Sequence, residues 1–171
     1  MNTGQTILTI GALILLGTTV LGINRSSLTH GVILQQTEIG LYAISLATGK
    51  IEEATGKAFD EFTAPDATGE TDVATSVTQL SSTLGKETGE VYPDFDDFDD
   101  FHFFNANPQT IYIPGVDSLK IRCEVGYINP SNPDVFTTTR TWHKKMNVYV
   151  TGKSTQDTIK VSTIFSYWWF R

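Results

Sequence analysis

Residues 6–23 read TILTIGALILLGTTVLGI, 18 positions without a charge. As a helix rising about 1.5 Å per residue they cover roughly 27 Å, enough for the hydrocarbon core of a bilayer. Ile7, Leu8, Ile10, Leu13, Ile14, Leu15, Leu16, Val20 and Leu21 supply the membrane-facing and packing surface of such a helix. A signal peptide, a plain membrane anchor and the first half of a longer helix all begin this way. A signal peptide wants a basic start, and Met1-Asn2-Thr3-Gly4-Gln5 has none. The flanking charges are also too few to orient an anchor by the positive-inside rule.

The next stretch separates these readings. Residues 28–59, LTHGVILQQTEIGLYAISLATGKIEEATGKAF, contain no proline, nor does anything before them. Apolar residues recur at Val32, Ile39, Ala43, Ala47, Ile51, Ala54 and Ala58, three or four apart after one gap of seven. That spacing places them on one helical stripe, with Gln36, Lys50, Glu53 and Lys57 expected off it. An apolar helix (6–23) therefore runs directly into an amphipathic one (28–59), as one rod filling residues 1–60. Glycines at 11, 17, 22, 31, 40, 49 and 56 punctuate it. Each costs about 1 kcal/mol relative to alanine in an exposed helix interior, so their presence points to close backbone approach by neighbouring helices. The weakest stretch by propensity runs from Gly17 to Gly22, and if the helix loosens anywhere it is expected to do so there.

Charge divides the chain as sharply as hydropathy. The net charge of −7 resolves into +1 for residues 1–50, −12 for 51–101 and +4 for 102–171. Net acidity argues against a nucleic-acid partner, which needs a basic face to meet phosphates. The single cysteine, Cys123, excludes an intrachain disulfide and a cysteine zinc cage. It alternates with core positions and reads as a small buried hydrophobe.

Residues 61–171 form a β-rich head. A short helix is expected over residues 71–84, with Thr71 or Asp72 as cap, Val73, Val77, Leu80 and Leu84 inside, and Gly85 as stop. Then Asp94, Asp96, Asp97, Asp99 and Asp100 interleave with Phe95, Phe98 and Phe101. The spacing of three predicts a tight helical turn that buries phenylalanine and exposes aspartate. These five carboxylates are either a solvated acidic turn or an irregular calcium site, since they lack the glycine and distal glutamate of an EF-hand. His102 beside them has no partner at ligand spacing. From Asp117 the period becomes two: Ile121, Cys123, Val125 and Tyr127; then Trp142, Met146, Val148 and Val150; then Ile159 to Trp169. Three antiparallel strands in a meander are expected, with residues 110–114 a fourth piece and residues 129–134 a turn. The stripe ending at Phe59 is the natural cover for one face of this sheet. The aromatic end, Tyr167 to Phe170, reads as core and sheet-edge packing before it reads as a carbohydrate platform.

The fold class is thus α+β: a long N-terminal helix, apolar then amphipathic, packed on a small antiparallel sheet. The uninterrupted two-phase helix, with Ala43-Ile44-Ser45-Leu46-Ala47 leading into Lys50-Ile51-Glu52-Glu53, resembles the type IV pilins and pseudopilins. That resemblance implies a structural subunit, not an enzyme, which polymerises through its hydrophobic helix into a helical filament of identical copies at the cell surface. It implies residence in the cytoplasmic (inner) membrane before assembly, a pilus assembly machinery as partner, and no cofactor beyond the calcium considered above. The alternatives are a pseudopilin of a secretion or uptake machine and a membrane-anchored binding module that never polymerises. Family members place a glutamate at the fifth mature position. Counted from Met1, Gln5 stands there as the assembly contact; counted from a cleavage after Gly4, Thr9 does. Glutamine can donate and accept hydrogen bonds at such a contact without charge. No nucleophile elbow, phosphate-binding glycine loop, dinucleotide fingerprint or zinc-protease motif is present in the sequence.

Overall fold

A computed structural model describes residues 2–66, 68–154 and 157–167. It has the expected α+β class. Helix α1 runs from Thr3 to Thr55 without interruption, four residues short of Phe59. The chain divides into two compact units, residues 1–39 and 40–171.

The first unit is helix alone. Ile7, Leu8, Ile10, Leu13, Ile14, Leu15, Leu16, Val20 and Leu21 are 56 to 75% exposed. The helix is continuous through Gly17–Gly22, where Thr18 and Thr19 turn their hydroxyls back onto the Leu15 carbonyl at 3.0 and 2.7 Å. The polar groups of this weak stretch are thereby satisfied within the helix. A Cβ built on Gly11, Gly17, Gly22 or Gly31 meets nothing within 4 Å among the described residues.

In the second unit the last turns of α1 pack on a five-stranded antiparallel sheet, and a Cβ on Gly40 would sit 4.0 Å from Ile159. Ala43, Ala47 and Ala54 of the stripe are buried, while Val32 is exposed. Lys50 departs from expectation: it is buried on the stripe, four residues before Ala54. Its ammonium lies 3.9 Å above the Tyr92 ring and donates to the Tyr92 hydroxyl at 2.7 Å and to Glu53 at 2.9 Å. The aliphatic stem covers apolar surface while the charged end finds partners.

The strands are β1 (Gln109–Ile113), β2 (Asp117–Asn129), β3 (Asn132–Thr137), β4 (His143–Gly152) and β5 (Thr158–Ser166). Their order is β1-β2-β4-β5, with β3 also paired to β2. Tyr127 pairs with Thr137 and with Lys144, so β3 lies on the edge of β2 opposite β4. The expected turn at residues 129–134 overlaps the first half of β3. Its Pro133 is tolerable only at an edge, where a missing N–H breaks no ladder. The sheet core alternates as the sequence implies: Ile121 opposite Val150, Cys123 opposite Val148, Val125 opposite Met146. Burial pushes the Cys123 thiol up to about 12.

The helix expected over residues 71–84 does not form. The Gln79 side chain instead accepts from the N–H groups of Thr75 and Ser76 at 2.8 and 2.9 Å, closing a turn that competes with helix. The acidic-aromatic stretch makes a single 3₁₀ turn, Asp99–His102, continued by α2, Phe103–Ala106. Phe95, Phe98, Phe101 and Phe104 are buried, as a three-residue period predicts. The aspartates correct the expectation, because Asp97, Asp99 and Asp100 are buried too.

Candidate functional site

Beside Lys50, two clusters of buried and half-buried charged groups stand out in the second unit, an inner and an outer one. The inner one centres on Lys144, whose strand parity with Met146, Val148 and Val150 points it into the core. Its Nζ donates to the Phe59 carbonyl at 2.8 Å and Asp60 Oδ2 at 2.7 Å, and also contacts Asp99 Oδ1. The Phe59 and Tyr127 rings close over it, with centroids 4.8 and 5.3 Å from Nζ. All three charged side chains are 0 or 1% exposed.

Each carboxylate is placed by local structure. Asp60 caps the 3₁₀ turn Glu61–Thr63 through the Phe62 N–H at 3.3 Å. It also accepts from the Ser81 N–H at 2.9 Å, the Ser81 hydroxyl at 3.1 Å and the Tyr127 hydroxyl at 3.0 Å. Burial works to raise its pKa, but the Lys144 charge and these donors together hold it below the usual carboxylate range. Asp97 Oδ1 accepts from the N–H groups of Asp99 and Asp100 at 2.8 and 3.0 Å, anchoring the turn that positions Asp99. Burial, then the charge of Asp99, pushes the Asp97 carboxyl up to about 9. Burial likewise raises Asp99, outweighing Lys144. Tyr127 is raised by burial and then by Asp60.

The outer cluster is carboxylates alone. Oxygens of Glu90, Asp96 and Asp100 lie within 4.8 Å of one another, as do those of Glu61, Glu87 and Glu90. Burial, then contact with Glu90, pushes Glu87 up to about 8. Burial raises Asp100 to about 7 and, reinforced by Glu90, raises Asp96 as well. Asp100 Oδ2 accepts the N–H groups of Asp96 and Asp97 at 3.1 and 3.2 Å, whereas its buried Oδ1 has no hydrogen-bond partner among the described residues. Both triples are close enough to offer a hard cation three oxygens, and of the two the Glu90, Asp96 and Asp100 set is the more buried.

The structure therefore divides the five aspartates read as a calcium loop. Asp94 is exposed, Asp97 and Asp99 serve the turn and Lys144, and Asp96 and Asp100 join Glu90. Gln5 is exposed near the start of α1, its N–H donating to the Asn2 carbonyl at 2.8 Å. His102 Nδ1 accepts the Val125 N–H at 3.1 Å, an arrangement that fixes the end of the 3₁₀ turn against β2. Tyr167 stacks on Trp142 with centroids 5.4 Å apart and tilts against Phe59. Trp168, Trp169 and Phe170 lie outside the described residues. Glu61, Glu87, Glu90, Asp60 and Lys144 were not among the residues singled out in the sequence; only Lys144 carried a signal, its parity on β4.

Comparison of the chain with protein-family models, with curated proteins and with solved structures finds no match to any of the three.

Proposed function

We propose that the chain is a structural subunit of a type IV pilus-like filament, inserted in the cytoplasmic membrane before assembly and polymerised at the cell surface through its N-terminal helix. The observation that carries this reading is the bare apolar surface of residues 7–21. Contiguous exposed apolar area of that size marks a surface that something must cover. Lipid covers it first, and the helices of identical copies cover it after assembly. Gly11, Gly17, Gly22 and Gly31, open on their free side, admit a neighbouring backbone. The pilus assembly machinery is the partner that moves the subunit from one environment to the other. Calcium at Glu90, Asp96 and Asp100 is the cofactor supported by the unpartnered Asp100 oxygen.

Electron microscopy of material sheared from cells tests the reading, with Leu15→Arg as the perturbation. An arginine at mid-helix costs about 2.5–3.5 kcal/mol in a bilayer centre. Wild-type cells should yield long fibres of this subunit, and the variant none, with the head melting unchanged. Fibres from the variant, or only detergent-soluble monomers from the wild type, overturn it. Short, retained assemblies in the wild type favour the pseudopilin reading instead.

A further inference from the structure

We propose that Lys144 and Asp99 condense to an amide, a covalent crosslink between strand β4 and the acidic 3₁₀ turn of the same chain. The two groups are in contact, 0 and 1% exposed, and 45 residues apart in sequence. The Phe59 and Tyr127 rings flank the lysine nitrogen. An ion pair in such a place carries a heavy desolvation cost; an amide carries no charge at all.

The step balances within the site. The Lys144 nitrogen attacks the Asp99 carboxyl carbon, a C–N bond forms and one C–O bond breaks. Of the three ammonium protons, one stays on the amide nitrogen and two leave with the carboxylate oxygen as water. Nothing is oxidised or reduced, and no outside reactant is needed. Asp60, with Oδ2 2.7 Å from Nζ, is the base that frees the nitrogen lone pair and returns the proton to the departing oxygen. Holding the reactants in contact replaces an encounter in solution, an advantage worth effective molarities of about 10⁵–10⁸ M in well-oriented cases.

The hydrogen bonds distinguish acceptor from base. Asp60 is held as an anion by Ser81 and Tyr127 as well as by Lys144. Among the described residues, Asp99 accepts, besides Lys144, a long bond of 3.4 Å from the Gly85 N–H. Asp60 thus stays ionised as the base, whereas burial favours the protonated form of Asp99, and a neutral carboxyl carbon is the more electrophilic of the two. The crosslink does not depend on polymerisation, although in a filament it would fasten the acidic segment to the central sheet against pulling forces.

Intact-mass spectrometry of the denatured full chain, purified in detergent, tests the proposal together with peptide mapping. The wild type should be one water lighter than its mature sequence, with a branched peptide joining the Asp99 and Lys144 segments. Asp99→Ala and Lys144→Arg should restore the full mass. Asp99→Asn keeps the shape and should crosslink by losing ammonia, reaching the same final mass as the wild type. Asp60→Asn should leave most of the chain uncrosslinked. Full mass in the wild type, a deficit surviving Asp99→Ala, or a branch through Asp60 overturns the proposal; wild-type crosslinking in Asp60→Asn overturns the role of Asp60.

Discussion

Removing the Lys144 charge isolates what the inner cluster costs when it is unbalanced. In Lys144→Met the stem is roughly replaced and the amine is lost, leaving Asp60 and Asp99 buried without their cation. Forcing one carboxyl with an ordinary pKa of 3.8 to stay protonated at pH 7 costs about 4 kcal/mol, at about 1.36 kcal/mol per pKa unit. That agrees with the roughly 3–5 kcal/mol seen when one partner of a buried ion pair is removed. The informative reference is Lys144→Met combined with Asp60→Asn and Asp99→Asn, because neither protein can crosslink. At about 2–4 °C per kcal/mol for a chain of this size, the single variant should melt roughly 10–15 °C below the triple variant at pH 7. The sign with pH follows directly. In the single variant the buried pair must hold one proton, so its folded pKa lies above the unfolded value, and the penalty is absent below about pH 4 and grows as pH rises. Near-UV circular dichroism of the detergent-solubilised chain reports the head through Trp142 and the buried phenylalanines. Melting points within 2 °C of each other at pH 7, or a gap of equal size at pH 4, would refute the reasoning.

Asp97 gives a second pH handle: its folded pKa of about 9 exceeds the ordinary 3.8, so its contribution to stability is complete below about pH 4 and is lost as pH rises through 9. Asp97→Asn should flatten that decline between about pH 4 and 9 in urea titrations run across the range. Calcium at a hundredfold excess over its Kd should add about 2.7 kcal/mol, read as a melting shift of roughly 5–10 °C that Asp100→Asn and Glu90→Gln abolish. A wild type that melts identically with calcium and with chelator removes the ion from the outer cluster. A Cβ at Gly126 would lie 2.8 Å from Phe136 Cγ, so Gly126→Ala must displace that ring from β2. Overpacking of this kind costs about 1–3 kcal/mol, and hydrogen exchange should show β3 opening first.

The helix and the sheet were legible because each rests on local repetition. A run of 18 uncharged residues needs no tertiary context, and Ala43, Ala47 and Ala54 declare their face by spacing. Lys50 belongs to that face only because Tyr92, 42 residues away, meets its amine. The phenylalanine period of three announced the turn that forms, but the aspartates between them looked solvated, since the lysine neutralising Asp99 lies 45 residues further on. Lys144 itself obeys the parity of Met146 and Val148; a charge inside an apolar period is easily passed over. Strand β3 hid behind Pro130 and Pro133, which signal a turn wherever they stand. Glu90 meets Asp96 and Asp100, and Glu61 meets Glu87 and Glu90, by chain folding alone, beyond any spacing rule.

Cys123 carries a practical consequence. The one thiol sits buried on central strand β2, its pKa pushed up to about 12, and should resist maleimides and oxidants in the native fold. A cysteine introduced at exposed Asp94 or Ser131 would be the reactive sulfur, so fluorophores or spin labels can be attached at a chosen point without first removing the native one. Distances between labelled copies would then report how the subunits are arranged in whatever assembly they form.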